Sequence, residues 1–289
     1  MRKRTRRFAW HCMLALAITV GAGAAYAVTH QGEAAAERAQ PGTHPAEPVV
    51  VKDQPSTFAP STTTTPPRPN VILPFNAKLT SQSIPVPGGG VRSGGCSGSL
   101  IDPLWVITAG HCFHDVNGVR VGGSPPYDMT VVIGKNKDSD PGGTTVHVVD
   151  VRQSPVNDLA VVKLSAPVTG IVPLTIVETR PPKGQRVDFA GWGSVSATVV
   201  APSDHMKRGT FTISKVDQYT LDAVPVVART VENSPCHDDS GAPFFTTDDN
   251  VTGRLIAIED SGPECPQPGT ETLARVDAVA DWIHQQLRS

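Results

Sequence analysis

The chain has 289 residues and a formal net charge of −2, and only 18% of its residues are charged and 5% aromatic. This length allows one or two domains. The 26 glycines and 27 prolines indicate many turns and loops and argue against a helical bundle. The composition predicts an all-β protein accompanied by an unstructured segment.

Residues 1–27 have the pattern of a cleaved secretory signal peptide. Five cations within residues 2–7 precede an apolar run at 13–20, and Ala25-Tyr26-Ala27 supplies a small-x-small cleavage site. The alternative is an uncleaved membrane anchor. The apolar stretch from Met13 to Ala27 has 15 residues, fewer than the roughly 20 that a spanning helix needs. We therefore expect secretion, with no stable membrane insertion after signal cleavage.

Removal of this segment makes the chain acidic. It takes away five cations and no acid, which leaves a formal charge of 20 − 27 = −7. An acidic protein is poorly suited to bind nucleic acid or anionic lipid. We expect no nucleic-acid partner.

Residues 28–70 are predicted to form a disordered linker or pro-segment. They combine alanines, scattered prolines and a threonine- and proline-rich run at 61–69. Such a stretch has too little apolar surface to offset the entropy of ordering. An extended linker or stalk is the simpler interpretation, and a pro-peptide is the alternative.

From residue 71 the sequence changes to short apolar runs broken by turn residues, which is typical of a β-sandwich or barrel. The predicted strands are 100–101, 104–109, 129–134, 144–149, 159–164, 186–193, 209–216, 224–230 and 254–258. Helical spacing occurs only at 276–287, where apolar residues 276, 279, 280, 283 and 287 share one face.

Three motifs carry candidate catalytic side chains. His111 lies in Thr-Ala-Gly-His-Cys at 108–112, Asp158 begins Asp-Leu-Ala-Val-Val-Lys-Leu, and Ser240 lies in Cys-His-Asp-Asp-Ser-Gly-Ala-Pro at 236–243. In this order the motifs resemble TAAHC, DIAL and CxGDSGGP of the chymotrypsin/trypsin family of serine proteases. Gly-Trp-Gly at 191–193 is similar to a further landmark of that family.

The resemblance implies two packed six-stranded antiparallel β-barrels with a C-terminal α-helix, spanning residues 71–289. It also implies a monomeric endopeptidase that acts on polypeptide substrates without metal or cofactor. Ser240 would attack the peptide carbonyl, His111 would take its proton and pass it to the leaving amine, and Asp158 would orient the imidazole. Taken singly, Asp158 could merely begin a strand and His111 could be a core histidine.

The four cysteines outside the signal segment allow three disulfide pairings. The resemblance implies the pairs Cys96–Cys112 and Cys236–Cys265. Zinc binding is the rival use of these cysteines, but the sequence contains no C-x-x-C pair.

Two further histidines are interpreted structurally. His114 with Asp115 suggests a metal site, but a turn facing solvent is the favoured interpretation. His237 is expected to form part of a cleft wall rather than to act as a second base.

The predicted oxyanion hole departs from the family pattern. The resemblance assigns it to the backbone N–H groups of Asp238 and Ser240, and the family has glycine in place of Asp238. A side chain there predicts a strained backbone, and its carboxylate would oppose an oxyanion unless it points away. The departure motivates an alternative, a weak or inactive protease homologue that acts as a binding protein. An esterase is disfavoured because G-x-S-x-G is absent.

Asp239, the residue before the candidate nucleophile, needs a cationic partner. Animal members of the family supply a freed N-terminus of the IVGG type, which this sequence lacks. Val71 is a candidate start after cleavage. Because a buried unpaired carboxylate is costly, we expect Arg92 or Arg186 to pair with Asp239 and to make such cleavage unnecessary.

The specificity pocket is predicted only in outline. A serine at 234, where trypsin-like members carry aspartate, favours a small or apolar side chain before the scissile bond. Nearby acids, including Glu264 and Glu271, could restore a preference for Lys or Arg, but we interpret them as loop charges facing solvent. The pocket residues that the resemblance implies are Ser234, Glu259, Asp260, Ser261 and Gly269.

Overall fold

The computed structural model of the chain describes residues 71–289, so the predicted signal peptide and linker lie outside the described residues. Strands dominate this part of the chain, and its α-helix, α1 (Ala280–Leu287), lies at the C-terminal end. None of the helices in this part is long and apolar enough to cross a membrane.

The first barrel closes around the earlier apolar runs. Its strands are β1 (Asn76–Pro85), β2 (Val91–Asp102), β3 (Trp105–Thr108), β4 (Thr130–Ile133), β5 (Thr144–Gln153) and β6 (Ala160–Leu164). They pair in the order β1-β2-β3-β6-β5-β4, and β4 pairs antiparallel with β1 to complete the barrel. All four residues of β3 and four of the five in β6 are buried, which explains their nearly continuous apolar sequences.

The second barrel contains the remaining strands. They are β7 (Thr175–Ile176), β8 (Arg186–Gly191), β9 (Lys207–Val216), β10 (Thr220–Pro225), β11 (Pro243–Thr246), β12 (Arg254–Ser261) and β13 (Glu271–Arg275). Six of them pair in the order β11-β8-β9-β10-β13-β12, and β11 closes onto β12, while the short β7 lies parallel to β12. The prediction of two six-stranded antiparallel barrels is confirmed.

Aromatic packing fills the second barrel. Phe211 and Phe244 meet nearly edge to face with ring centroids 5.2 Å apart, and Phe189 lies 5.6 Å from Phe244. All three side chains are buried. Such pairs add about 0.5–1.5 kcal/mol beyond the area that they bury.

Several predicted boundaries differ from the structure. The strand predicted at 224–230 is wrong beyond Pro225, where the chain leaves β10 and enters a loop. The predicted C-terminal helix begins with a 3-10 turn, Asp277–Val279, before α1. Its buried residue Ile283 packs into the same apolar cluster as the first barrel.

Both disulfides have the pairing that the resemblance implies. Cys96–Cys112 ties β2 to the turn that carries His111. Cys236–Cys265 ties the loop before Ser240 to the loop after β12. Each bond therefore braces a segment that carries a candidate functional residue.

Candidate active site

His111 and Asp158 meet because their strands are neighbours. Strands β3 and β6 are antiparallel, with Thr108 opposite Ala160. His111 follows β3 in the 3-10 turn Gly110–Cys112, and Asp158 precedes β6, so both lie at the same barrel edge. His111 Nδ1 lies 2.5 Å from Asp158 Oδ2, and the His111 backbone N–H donates to Asp158 Oδ1 at 2.8 Å.

Close packing around this pair restricts the neighbouring residues. A Cβ at Gly110 would lie 2.6 Å from Asp158 Oδ1, so a side chain is excluded there. Arg120 Nη1 donates to Asn157 O at 2.8 Å and to Asp158 Oδ1 at 3.2 Å. Sequence analysis missed Arg120, which lies 38 residues from Asp158 and has no motif around it.

His111 and Asp158 each stabilise the charged form of the other. Burial alone lowers the pKa of His111, but the hydrogen bond and charge of Asp158 outweigh it, and the pKa is raised. Burial alone raises the pKa of Asp158, but His111 and Arg120 outweigh it, and the pKa is lowered. Asp158 thus stays ionised and favours the imidazolium form of His111.

Ser240 lies in the turn before β11, at the junction with the first barrel. The Ser97 N–H on β2 donates to Ser240 O at 2.9 Å. Gly241 has φ +82°, and a Cβ there would lie 2.2 Å from Thr108 Oγ1, so glycine is required. Ser240 and His111 line one cavity of about 280 Å³. No hydrogen bond joins their side chains within residues 71–289, and such bonds often tighten only when substrate binds.

Asp238 has the strained backbone that the sequence predicts, with φ 68°. Its Oδ1 accepts a hydrogen bond from the Gly95 N–H at 3.2 Å, and its buried Oδ2 has no partner among the described residues. Burial raises the pKa of Asp238, and the charge of Asp239 adds to the effect. In the described part of the chain, neither the Asp238 nor the Ser240 N–H donates to a protein acceptor.

Ser97 joins the two barrels and was missed by sequence analysis. Besides the bond to Ser240 O, its Oγ accepts from the Trp192 N–H at 2.8 Å and donates to Asp238 O at 3.3 Å. Its carbonyl accepts from Thr108 Oγ1 at 2.7 Å. Its position after a half-cystine was the only signal in the sequence.

Asp239 does have an internal cationic partner, but it is Lys207. Lys207 Nζ lies 2.5 Å from Asp239 Oδ2, and both side chains are 0% exposed. The N–H groups of Gly193 and Cys236 donate to the same carboxylate at 2.7 and 2.9 Å. The prediction of Arg92 or Arg186 was therefore wrong, because both lie in exposed positions.

A second cavity of about 250 Å³ lies beside Ser240 and includes several predicted pocket residues. Its walls include His237, as expected, with Glu259, Asp260 and Ser261. Ser234 and Gly269 are not among the lining residues. The Ser234 side chain is buried, and its Oγ donates to Thr230 O at 2.5 Å. It therefore lies behind the wall.

The acids of this cavity do not all face solvent, as the sequence suggested. Glu264 is exposed, but Glu259 and Glu271 are 4% and 0% exposed. Glu271 pairs with the buried guanidinium of Arg229. One oxygen of each glutamate, Oε2, is buried without a hydrogen-bond partner among residues 71–289. The interpretation of these two glutamates as solvent-facing charges is wrong.

Burial dominates the titration of both glutamates. It raises the pKa of Glu259 well above its usual value, with the charge of Glu271 adding to the effect. It also raises the pKa of Glu271 to about 7 against the opposing charge of Arg229. Above the ordinary pKa of glutamate, the pair thus keeps a proton that an exposed glutamate would release.

Potential metal ligands converge at one place in the described part of the chain. A ring nitrogen of His111 and one oxygen each of Asp158 and Asp260 lie within 4.8 Å of one another. The metal hypothesis for His114 and Asp115 finds no such cluster there. Asp115 Oδ1 instead accepts the backbone N–H groups of residues 117 and 119, as in a turn.

Comparisons with known proteins identify the family of this chain. The sequence profile of the Trypsin family matches residues 66–283. A trypsin from Saccharopolyspora erythraea is 30% identical over 215 residues, which cover 67% of this chain and 87% of that protein. A collagenase from Hypoderma lineatum is 26% identical over 212 residues, covering 66% and 75%.

A solved structure confirms the fold. Neuropsin, described as a serine protease expressed in the limbic system of mouse brain, superposes with a TM-score of 0.59 at 18% identity. The match covers 74% of this chain and 95% of that one. Because the family profile spans well over half of its length, the chain belongs to the trypsin family of serine proteases.

Proposed function

We propose that the protein is a secreted serine endopeptidase that hydrolyses peptide bonds through His111, Asp158 and Ser240. The observation that supports this most is the His111–Asp158 hydrogen bond at the edge of a cavity that Ser240 also lines. His111 accepts the Ser240 proton as Oγ attacks the carbonyl carbon. It then protonates the leaving amine, and water releases the acyl-enzyme by the same route. Secretion rests on the signal-like residues 1–27.

The N–H groups of Asp238 and Ser240 are proposed to stabilise the oxyanion. Both are free of protein acceptors within residues 71–289, and such donors act on charge that develops only in the transition state. The Asp238 carboxyl is held by the Gly95 N–H on the first barrel. This bond gives one oxygen of the carboxyl a partner on the first barrel.

The cavity beside Ser240 is proposed to take a cationic side chain before the scissile bond. Its wall contains two glutamate carboxyls, while Arg229 supplies the cation paired with Glu271. A bound Lys or Arg side chain would favour release of the proton that the glutamate pair holds and would then bond to an unpartnered Oε2. This replaces the preference for small or apolar side chains drawn from Ser234, which does not line the cavity.

A fluorophosphonate probe tests the proposed catalysis. We expect covalent labelling of Ser240 in the folded wild-type chain, and none in Ser240→Ala. His111→Ala should label at least 10³-fold more slowly, since residues that act as a unit lose most of their effect together. Absence of labelling in a folded wild-type chain would instead favour a binding protein built on a protease fold.

Fluorogenic peptides that differ only in the residue before the scissile bond test the pocket. We expect kcat/KM to be at least tenfold higher for Lys or Arg than for Phe or Ala. Glu259→Gln should reduce that ratio, while Asp248→Asn, at an exposed position outside this cavity, should leave it unchanged. Equal cleavage of all four peptides would refute the cationic preference and leave the endopeptidase proposal intact.

A further inference from the structure

Asp260 is a carboxyl group aimed at the catalytic pair from the opposite barrel. It lies on β12 where the pairing with β13 shifts register between Glu259 and Ser261, a β-bulge. Bulges next to active sites re-aim a side chain. Here one Asp260 oxygen, one Asp158 oxygen and a His111 ring nitrogen all lie within 4.8 Å of one another.

Both carboxylate oxygens of Asp158 already have hydrogen-bond partners from the first barrel. Its Oδ2 meets His111 Nδ1, and its Oδ1 accepts from the His111 N–H and from Arg120. None of the ion pairs among residues 71–289 includes Asp260. Asp260 therefore lies near the Asp158 carboxylate and has no ion-pair partner among the described residues. Two neighbouring carboxyls disfavour each other's ionisation.

We propose that Asp260 is a second carboxyl group of the His111–Asp158 pair, a positioning residue that acts through Asp158 on the orientation and basicity of the imidazole. The proposal rests on the proposed proteolytic function. When protonated, Asp260 donates its O–H to Asp158. This hydrogen bond weakens the stabilisation of protonated His111 by Asp158. When ionised, it adds a second negative charge that stabilises the imidazolium formed during acylation.

The electrostatic environment of Asp260 supports a change between these two protonation states. Burial raises the pKa of Asp260 to about 6, and the charge of Asp158 adds to the effect, while His111 and Arg120 oppose it. The charge of Asp260 in turn favours the protonated form of His111. Glu259, adjacent on the same strand, is the other acid beside it. The pKa of Asp260 thus lies closer to the ordinary pKa of a histidine than to that of an exposed aspartate.

The rate of Ser240 labelling by a fluorophosphonate, measured against pH, tests the proposal, because labelling requires neutral His111. We expect Asp260→Asn and Asp260→Ser to lower the apparent pKa of labelling by about half a unit or more, the effect of removing one charge at ~5 Å. Asp248→Asn, which removes an exposed charge after β11, should leave it unchanged. An unchanged profile in both Asp260 variants would overturn the proposal.

A measurement on the wild-type chain guards against variants that fail to fold. The proton in the short hydrogen bond between His111 Nδ1 and Asp158 is expected to give a low-field ¹H resonance. We expect it to titrate in two steps, one belonging to Asp260 and one to His111. A single step would overturn the proposal even if no variant folds. Failure of the wild type to label at any pH would instead refute the proteolytic function, and the resonance would still test the carboxyl pair.

Discussion

Lys207 Nζ contacts Asp239 Oδ2 at 2.5 Å inside the second barrel, and water reaches neither side chain. The ammonium also donates to the carbonyls of Ser194 and Ser234, at 3.0 and 3.1 Å. Burial raises the pKa of Asp239, and Lys207 opposes that effect. The residue before Ser240 is therefore held in place by a cation from strand β9.

Replacing this cation should unfold or inactivate the protein. We expect Lys207→Met to lower the free energy of unfolding by about 3–5 kcal/mol, because it leaves Asp239 buried and unpaired. Chemical denaturation measures the change, and fluorophosphonate labelling should fall with it. Lys215→Met on the same strand removes an exposed ammonium paired with Asp217, so it should change stability by less than about 1 kcal/mol. Equal effects of the two variants would contradict this role for Lys207.

Activity should not require a newly freed N-terminus. Exposed Ile72 forms two hydrogen bonds with half-buried Asn136, its N–H donating at 2.9 Å and its carbonyl accepting at 2.7 Å. It therefore does not occupy the partner position of Asp239. We expect a chain produced from residue 28 onward to label at Ser240 without protease treatment. Mass spectrometry of the labelled chain checks this: label found only on molecules that begin at Val71 would show that cleavage is needed.

Asp238 should be replaceable by glycine. The φ of 68° costs a residue with a side chain about 1 kcal/mol relative to glycine. Asp238→Gly and Asp238→Ala both lose the bond to Gly95, so we expect the glycine variant to be more stable by about that amount in urea denaturation. Removal of the carboxyl near the N–H donors should also speed Ser240 labelling. Slower labelling of the glycine variant would show that the Gly95 contact positions the donor.

The stability of the protein should fall as pH rises through the range where Glu259 loses its proton. Burial raises the pKa of Glu259 well above its usual value, with Glu271 adding to the effect. The folded chain therefore binds more protons than the unfolded chain between the two pKa values, and the free energy of unfolding falls across that window.

We expect Glu259→Gln, which cannot ionise, to match the wild type near pH 4 and to exceed its free energy of unfolding at pH 8 by about 1 kcal/mol or more. Urea denaturation at both pH values measures the difference. Glu264→Gln, at an exposed position, should follow the wild type throughout. A constant offset between Glu259→Gln and wild type at both pH values would show that proton release is not the cause.

Short-range patterns in the sequence predicted the parts of the site that have local signatures. The apolar runs of β3 and β6, the flanking His111 and Asp158, and the cysteine-linked turn with Ser240 each occupy a few consecutive residues. The structure adds what brings them together. Antiparallel pairing of β3 and β6 aligns two of these side chains at one edge.

Contacts between distant residues escaped prediction because nothing in the local sequence marks them. Lys207 reads as an ordinary charge before a strand, although it lies 32 residues from Asp239 and is fully buried. Strand β1 was missed since polar residues fill most of its sequence, including Thr80 and Gln82. Glu271 looked like a loop acid because strand β13, which it begins, was not predicted, and its buried partner Arg229 is distant in sequence.

Ser97 makes the support of the Ser240 turn depend on both barrels. Its backbone and hydroxyl contact the turn that carries Ser240, the Trp192 segment and the strand that leads to His111. Halves taken from two related enzymes would therefore have to match at this serine, or the turn that presents Ser240 would lose its support. In a chimaera, compatibility at this position would be needed in addition to two well-packed cores.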